Sequence, residues 1–364
     1  MNREALAQDG SVQAASAPQG APVEQAAGAA GDTRTPLTVL TGFLGAGKTT
    51  VLKKLLAHEQ AGDIAVLINE FGEVGIDQQL VTALSPDVVL LDSGCVCCQI
   101  RGELKDCLLD LLDRRARGEL PPFRRVVMET TGLAEPTPIL ATLMTDPVLS
   151  HQFRMAGVWT VVDALHADTM ASAGEPVWVH QLTAADRVLL TKADLLMPGQ
   201  LDGLQAMLST WVPGVPVMPM GLADALPALT DRVGYDGNAP SALAATMQAR
   251  QGLKRDEGDR EESLSAIQSL SIEADQPVDW TAFGVWLSAL LHRHGRSVLR
   301  VKGILNIGER VPVLVNGVQH MIHPPEHLPG WGARQPRSQL VLIFRDLDRQ
   351  RVEASFRRWV LGDE

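Results

Sequence analysis

The chain has 364 residues, 45% of them hydrophobic, and a formal net charge of −11. That length allows a sizeable core in two domains; no apolar run is long enough to cross a bilayer, and the acidic balance argues against nonspecific binding to nucleic acid or anionic membrane. Three of the four cysteines fall within four positions, a spacing that suits metal or redox chemistry rather than a disulfide framework, so a soluble, cytoplasmic protein is expected.

Residues 1–35 are rich in Ala, Gly, Gln and Pro, lack periodicity and read as a disordered tail. No charged stretch leading into an apolar one marks them as a secretory signal. From Pro36 to Leu222, apolar β-branched runs alternate with helical patterns. The predicted strands are Leu37–Leu40, Ile64–Ile68, Val88–Leu91, Val126–Met128, Val158–Val162, Val188–Leu190 and Val215–Met218. The last holds Pro216, which restricts it to a short edge strand. Such alternation predicts an α/β domain with a mainly parallel sheet, helices on both faces, and ligands at the carboxyl ends of the strands. Residues 223–262 read as a linker, with helical fragments at Leu226–Val233 and Ser241–Ala249 before the mixed-charge run Lys254–Glu262. Residues 263–364 predict a smaller α+β domain: strands Ala266–Ile272, Val298–Ile307, Val311–Ile322 and Gln339–Phe344, with helices Trp280–His292 and Arg349–Leu361.

The most informative motif is Gly42-Phe43-Leu44-Gly45-Ala46-Gly47-Lys48-Thr49, followed by Thr50. It joins a predicted strand to a predicted helix, the context that a phosphate loop requires. Glycines let backbone N–H groups wrap a phosphate, and the helix N-terminus adds its dipole. Lys48 would neutralise the β- and γ-phosphates and the Thr49 hydroxyl would hold Mg²⁺. Glu129, at the tip of the strand Val126–Met128, is the second candidate for the Mg²⁺ side. Gly132 would let a backbone N–H approach the γ-phosphate, and the alternative role for Glu129 is a helix cap. Thr191-Lys192-Ala193-Asp194 closes another strand in the form T-K-x-D. Asp194 can accept from N1–H and N2–H₂ of guanine, and the Lys192 stem can lie along the base, so GTP is favoured over ATP. Thr191 stands where Asn is commoner, although its hydroxyl can still bond the phosphate-loop backbone.

Gly94-Cys95-Val96-Cys97-Cys98 follows the strand Val88–Leu91 and should lie near the nucleotide edge. Thiolates are soft ligands that suit Zn²⁺ or Cu⁺. Three of them leave a zinc shell incomplete, which fits an ion that is to be passed on. A redox pair and simple packing are the other readings. Cys107 is expected inside a helix, Glu103–Leu112, as a core thiol. Glu70 and Glu73 follow a further strand tip and could reach either metal. His320, His323 and His327 read as structural. In a strand, the spacing of three puts His320 and His323 on opposite faces, which counts against a joint site. His292 and His294 suit the negative end of a helix. Trp280 and Trp286 read as core, whereas Trp331, in a loop, and Arg334, Arg337, Arg345 and Arg349 read as candidate contacts for a partner.

Taken in order, GFLGAGKTT, NEFGEVGID, GCVCC, ETTGLAEP and TKAD closely resemble the CobW-like family of P-loop GTPases, relatives of the urease and hydrogenase nickel-insertion GTPases. The resemblance continues through Leu299–Leu305, Gly317–His320 and Arg337–Val341, and so covers about residues 36–361. It implies a transition metal, most often zinc, on Cys95, Cys97 and Cys98, with Co²⁺ or Fe²⁺ as alternatives. It implies too that Cys98, Gln99, Ile100, Arg101 and Gly102 approach the nucleotide. The His-rich run that some members carry is absent, its place taken by Lys254–Glu262. The expectation is a GTP-hydrolysing metallochaperone that cycles between GTP and GDP, serves a client metalloprotein and forms a nucleotide-dependent homodimer. A P-loop ATPase or kinase with incidental cysteines, and a nucleotide-stabilised thiol or metal sensor, are the rival expectations.

Overall fold

The computed structural model describes residues 33–56, 64–68, 89–92, 100–220, 267–328, 330–331 and 335–363. The first domain is built on seven strands: β1 (Thr35–Gly42), β2 (Ile64–Ile68), β3 (Val89–Asp92), β4 (Arg125–Glu129), β5 (Phe153–Asp163), β6 (Arg187–Thr191) and β7 (Val217–Pro219). Their order across the sheet is β3-β2-β4-β1-β5-β6-β7. Every adjacent pair is parallel. All five residues of β2 and seven of the eight in β1 are buried, as expected of strands covered on both faces. The short β7 is the edge strand that its proline predicts.

The helices of this domain are α1 (Lys48–Leu56), α2 (Ile100–Ala116), α3 (Pro136–Thr145), α4 (Pro147–Gln152), α5 (Ala167–Ala173), α6 (Pro176–Thr183) and α7 (Gln200–Trp211). On one face of the sheet α2, α3 and α4 bury Leu104, Leu108, Leu111, Ile139, Leu140 and Leu149. Val51, Leu52, Leu55 and Leu56 of α1 enter a separate cluster with Leu40, Val127 and Val161. Asp146 caps α4 by accepting from the Val148 and Leu149 N–H groups at 2.9 and 3.1 Å, and Lys105 of α2 pairs with it at 2.8 Å. Cys107 lies within α2 as expected, but half-buried against the first of these clusters rather than as one of its buried members.

The second domain holds β8 (Gln268–Ala274), α8 (Trp280–His294), β9 (Val298–Leu305), β10 (Val313–Val318), β11 (Met321–Ile322), β12 (Glu326–His327), β13 (Ser338–Phe344) and α9 (Arg349–Phe356), the last running into a π-turn at Arg357–Leu361. Its sheet is antiparallel, ordered β11-β10-β9-β13-β8 with β12 beside β10. Alternation along β13, and an extra residue in β9 where the register with β13 shifts between Arg300 and Val298, send side chains to two different partners. Val301, Leu305, Leu340, Leu342 and Phe344 meet Phe283, Trp286 and Phe356 of α8 and α9. Leu299, Val341 and Ile343 instead meet Trp178, Val179 and Leu182 of α6 and Leu208 of α7. The second sheet is thus sandwiched between its own helices and those of the first domain. Among the described residues, no helix is long and apolar enough to cross a membrane.

Two expectations are corrected. The run Val311–Ile322 is not one strand: it turns back at Gln319, whose φ is +52°, so β10 and β11 form a hairpin with His320 in the turn. Trp286 is core, but Trp280 at the start of α8 is 39% exposed and only stacks on Phe283. Trp331 is half-buried, while Trp359, in the π-turn, is exposed. Arg337 is engaged by Glu273 and Asp275, Arg345 is half-buried, and Arg349 is exposed. Residues 1–32 of the tail, Glu70, Glu73, Arg334 and the segment 223–262 lie outside the described residues, while Thr35, read as the tail's last residue, opens β1.

Candidate nucleotide site

Strand β1 sits at the centre of the sheet with β4 and β5 on either side, so the loops leaving β1, β4, β5 and β6 converge at one carboxyl edge. The loop after β1 is compact. Ala46 N–H donates to Phe43 O at 3.1 Å, and Gly45 and Gly47 have φ of +72° and +90°. Gly42 has φ +149°, and a Cβ there would stand 2.3 Å from Val161 O, so no side chain fits. The first N–H groups of α1 face this loop, the arrangement that attracts phosphate. Lys48 Nζ donates to Gly42 O at 3.0 Å and Phe43 O at 3.4 Å, across the mouth of the loop.

Thr49 and Glu129 are brought together: Thr49 Oγ1 donates to Glu129 Oε1 at 3.3 Å. The carboxylate is buried, and with the hydroxyl it forms a pair of hard oxygen donors, which fits Mg²⁺. Next along the chain, Thr130 Oγ1 donates to Thr41 Oγ1 at 2.9 Å and Thr130 N–H to Leu40 O at 3.0 Å, fastening the end of β4 to β1. Gly132 then lies against the phosphate loop. A Cβ there would be 2.8 Å from both N and Cα of Leu44.

The T-K-x-D segment is joined to the same loop. Thr191 Oγ1 donates to Ala46 O at 2.6 Å, the bond expected of a hydroxyl in place of Asn. Lys192 adopts φ +57° and its Nζ donates to Gly45 O at 3.1 Å and to Asp163 Oδ2 at 2.5 Å. Ala193 and Asp194 follow in a short 3₁₀ turn, with Asp194 exposed. Asp163, at the end of β5, is a site residue that the sequence reading missed, although a polar residue closing an apolar strand was the available signal. It also accepts from Leu165 N–H at 2.9 Å and contacts His166 Nδ1 at 2.8 Å. Burial raises the Asp163 carboxyl, but hydrogen bonds from Lys192, His166 and Leu165 outweigh it and hold the group below the usual carboxylate range.

Gln181 was missed as well, and the sequence carries no signal for it. It is wholly buried on α6, and its Nε2 donates to Gly132 O at 3.1 Å and Ala134 O at 3.0 Å. Cys95, Cys97, Cys98 and Gln99 lie outside the described residues. Ile100, Arg101 and Gly102 open α2. Among the described residues, no group of three or more His, Cys, Asp or Glu is placed to hold a metal ion.

A parallel sheet with a glycine loop between its central strand and a helix, and a hydroxyl–carboxylate pair beside it, defines a P-loop nucleotide-binding protein. The comparisons make this specific. Residues 36–219 match the family model "CobW/HypB/UreG, nucleotide-binding domain", and residues 267–360 match "Cobalamin synthesis protein cobW C-terminal domain". The chain belongs to the CobW/HypB/UreG family. It is 35% identical over 322 residues to the zinc chaperone YjiA of Escherichia coli strain K12, covering 88% of this chain and 97% of that one. It is 29% identical over 352 residues to the zinc chaperone CobW of a Sinorhizobium species, covering 88% and 96%. The crystal structure of Zn(II)-bound YjiA GTPase from E. coli aligns with a TM-score of 0.66 at 31% identity, covering 90% of this chain and 99% of that one.

Proposed function

We propose that this protein is a cytoplasmic, GTP-hydrolysing metallochaperone that carries zinc on Cys95, Cys97 and Cys98 and delivers it to a client metalloprotein. The observation that carries the reading is the tethering of Thr191 and Lys192 to the phosphate loop at Ala46 and Gly45. A motif that reads a base and a loop that holds phosphates are thereby fixed at one sheet edge. The names of the relatives, zinc chaperones and a Zn(II)-bound GTPase, supply the cargo. In this reading Gly42–Thr50 cradle the phosphates, Thr49 and Glu129 hold Mg²⁺, and Asp194 reads guanine. The domains follow the sequence: GTPase 36–222, linker 223–262 and client-recognising domain 263–364. Hydrolysis is slow in the absence of a client, because the motifs place no arginine finger and no catalytic glutamine.

The deciding experiment measures zinc affinity of the full chain with a non-hydrolysable GTP analogue and with GDP. Different affinities are expected; equal ones would sink the coupling, since a ligand shifts only an equilibrium whose states it binds differently. Asp194→Asn should weaken guanine nucleotide binding by about tenfold or more, the scale of a lost charged hydrogen-bond pair. A fluorescent GDP titration in which the variant matches the parent, or in which ATP competes as well as GTP, would overturn the base assignment.

A further inference from the structure

Helix α6 touches two places that its sequence position does not connect. On one side Gln181 Nε2 holds the carbonyls of Gly132 and Ala134, and His180 Nδ1 contacts Glu135 Oε1 at 3.1 Å. Those residues belong to the loop after β4 that packs on Leu44 of the phosphate loop. One helical turn further on, Arg300 of β9 donates from Nη1 to Ala184 O at 2.7 Å and from Nη2 to the Asp186 carboxylate. Asp186 Oδ2 in turn accepts from Val158 N–H at 2.9 Å, so Arg300 grips the end of α6, the start of β6 and the middle of β5 together. Arg300 and Asp186 are each 2% exposed. Between these two grips, Trp178, Val179 and Leu182 lie against Leu299, Val341 and Ile343 of the second sheet. Gln181 Oε1 is itself buried without a hydrogen-bond partner among the described residues, so the side chain is held there by its two donated bonds despite an unsatisfied acceptor.

Resting on the nucleotide reading above, we propose that Gln181 is a positioning residue for the 131–135 loop, and that α6 transmits the position of that loop to Arg300 and the second sheet. A triphosphate that moves the loop against Leu44 pulls on two carbonyls held by one buried side chain. That side chain cannot yield alone, because its helix is fixed one turn later by a guanidinium. The path is short, contiguous and close-packed, which is what transmission between two arrangements requires. It gives the C-terminal domain a means of sensing which nucleotide is bound, without itself touching the nucleotide.

The test uses the full chain, with magnesium and either a non-hydrolysable GTP analogue or GDP. Hydrogen exchange of peptides covering Val298–Leu305 and Ser338–Phe344 is followed by mass spectrometry, and both nucleotide affinities are measured alongside. Exchange in the unmodified protein should differ between nucleotides by about fivefold or more, the low end of ordinary coupling. Gln181→Leu, which keeps the volume and removes the donors, should abolish that difference and lower affinity for the triphosphate analogue more than for GDP. A merely structural role would weaken both nucleotides equally, and that result would overturn the proposal. Arg300→Lys, which keeps the charge near Asp186 but gives up the two-pronged grip, should leave both affinities near those of the parent and still lose the exchange difference. It serves also if the Leu variant does not fold. Nucleotide binding with unchanged exchange in the parent protein would refute the relay alone, whereas no binding of either nucleotide would refute the nucleotide reading and the relay together.

Discussion

Thr191 shows how one atom can replace a motif residue. Its hydroxyl lies 2.6 Å from Ala46 O, and its Cγ2 packs 3.3 Å from where a Cβ on Gly47 would stand. Thr191→Val keeps the packing and deletes the donor, leaving a buried carbonyl bereft of that partner at a cost of about 1–2 kcal/mol. Guanine nucleotide affinity should fall by about tenfold, read by equilibrium titration; an unchanged affinity would show that the loop holds its shape without this bond. Gly132→Ala tests the opposite face. The added methyl meets Leu44 backbone at 2.8 Å, and backbone cannot swing aside as the end of a side chain can. Affinity for a triphosphate analogue should drop at least as much as with Thr191→Val, with a smaller loss for GDP, because Gly132 lies on the side assigned to the γ-phosphate. Equal losses for the two nucleotides would count against that assignment. The phosphate-loop residues and Thr191 were legible because each is a spacing within a short segment. Asp163 was half-legible, and Gln181 was not, since a glutamine inside a helix looks the same whether it meets water or two carbonyls 47 and 49 residues away.

At the scale of elements, the seven parallel strands could be read because strands buried on both faces leave runs of β-branched and aliphatic residues that little else produces. The hairpin β10–β11 could not. Its turn residue Gln319 takes a left-handed conformation without being Gly or Asn, so the alternating pattern of Val311–Ile322 passes through the reversal unmarked. The order of the strands is a matter of tertiary pairing and no local signal fixes it. Yet the functional edge could be anticipated, because any such sheet gathers its ligands at the carboxyl ends. Helix α6 shows the limit of that reasoning. Its apolar face, Trp178, Val179 and Leu182, announces burial but not that the partner is a second sheet more than a hundred residues later in the chain.

The molecule as a whole is held across its two sheets by charge as well as by apolar packing, and that makes its stability depend on pH in a defined direction. Asp186 lies among Arg300, Lys302 and His323. Burial alone would raise its carboxyl, but the two cations hold it below the ordinary range, so its contribution is present above the usual carboxylate pKa and is lost only as pH falls through the lower folded value. His323 acts at higher pH. Burial pushes its imidazole down from 6.5 to about 4; Asp186 opposes the shift, and Arg300 and Lys302 add to it. Its Nε2 is buried with no hydrogen-bond partner among the described residues, and its backbone N–H donates to Asn316 O at 2.8 Å, which fixes the main chain there. Between about pH 6.5 and 4 the unfolded chain therefore binds a proton that the folded chain refuses, and stability declines as the solution is acidified. From those two values the loss between pH 7 and pH 5 amounts to about 2 kcal/mol. Asp186 adds little in that interval because its carboxyl stays ionised in both states over most of it. Urea unfolding followed by tryptophan fluorescence, with Trp286 in the second-domain core as one reporter, should show this decline in the parent protein. His323→Gln, which cannot titrate, should lose about 2 kcal/mol less over the same interval, whatever its stability at pH 7. If parent and variant declined in parallel, His323 would not be the buried neutral group that the packing of the two sheets requires.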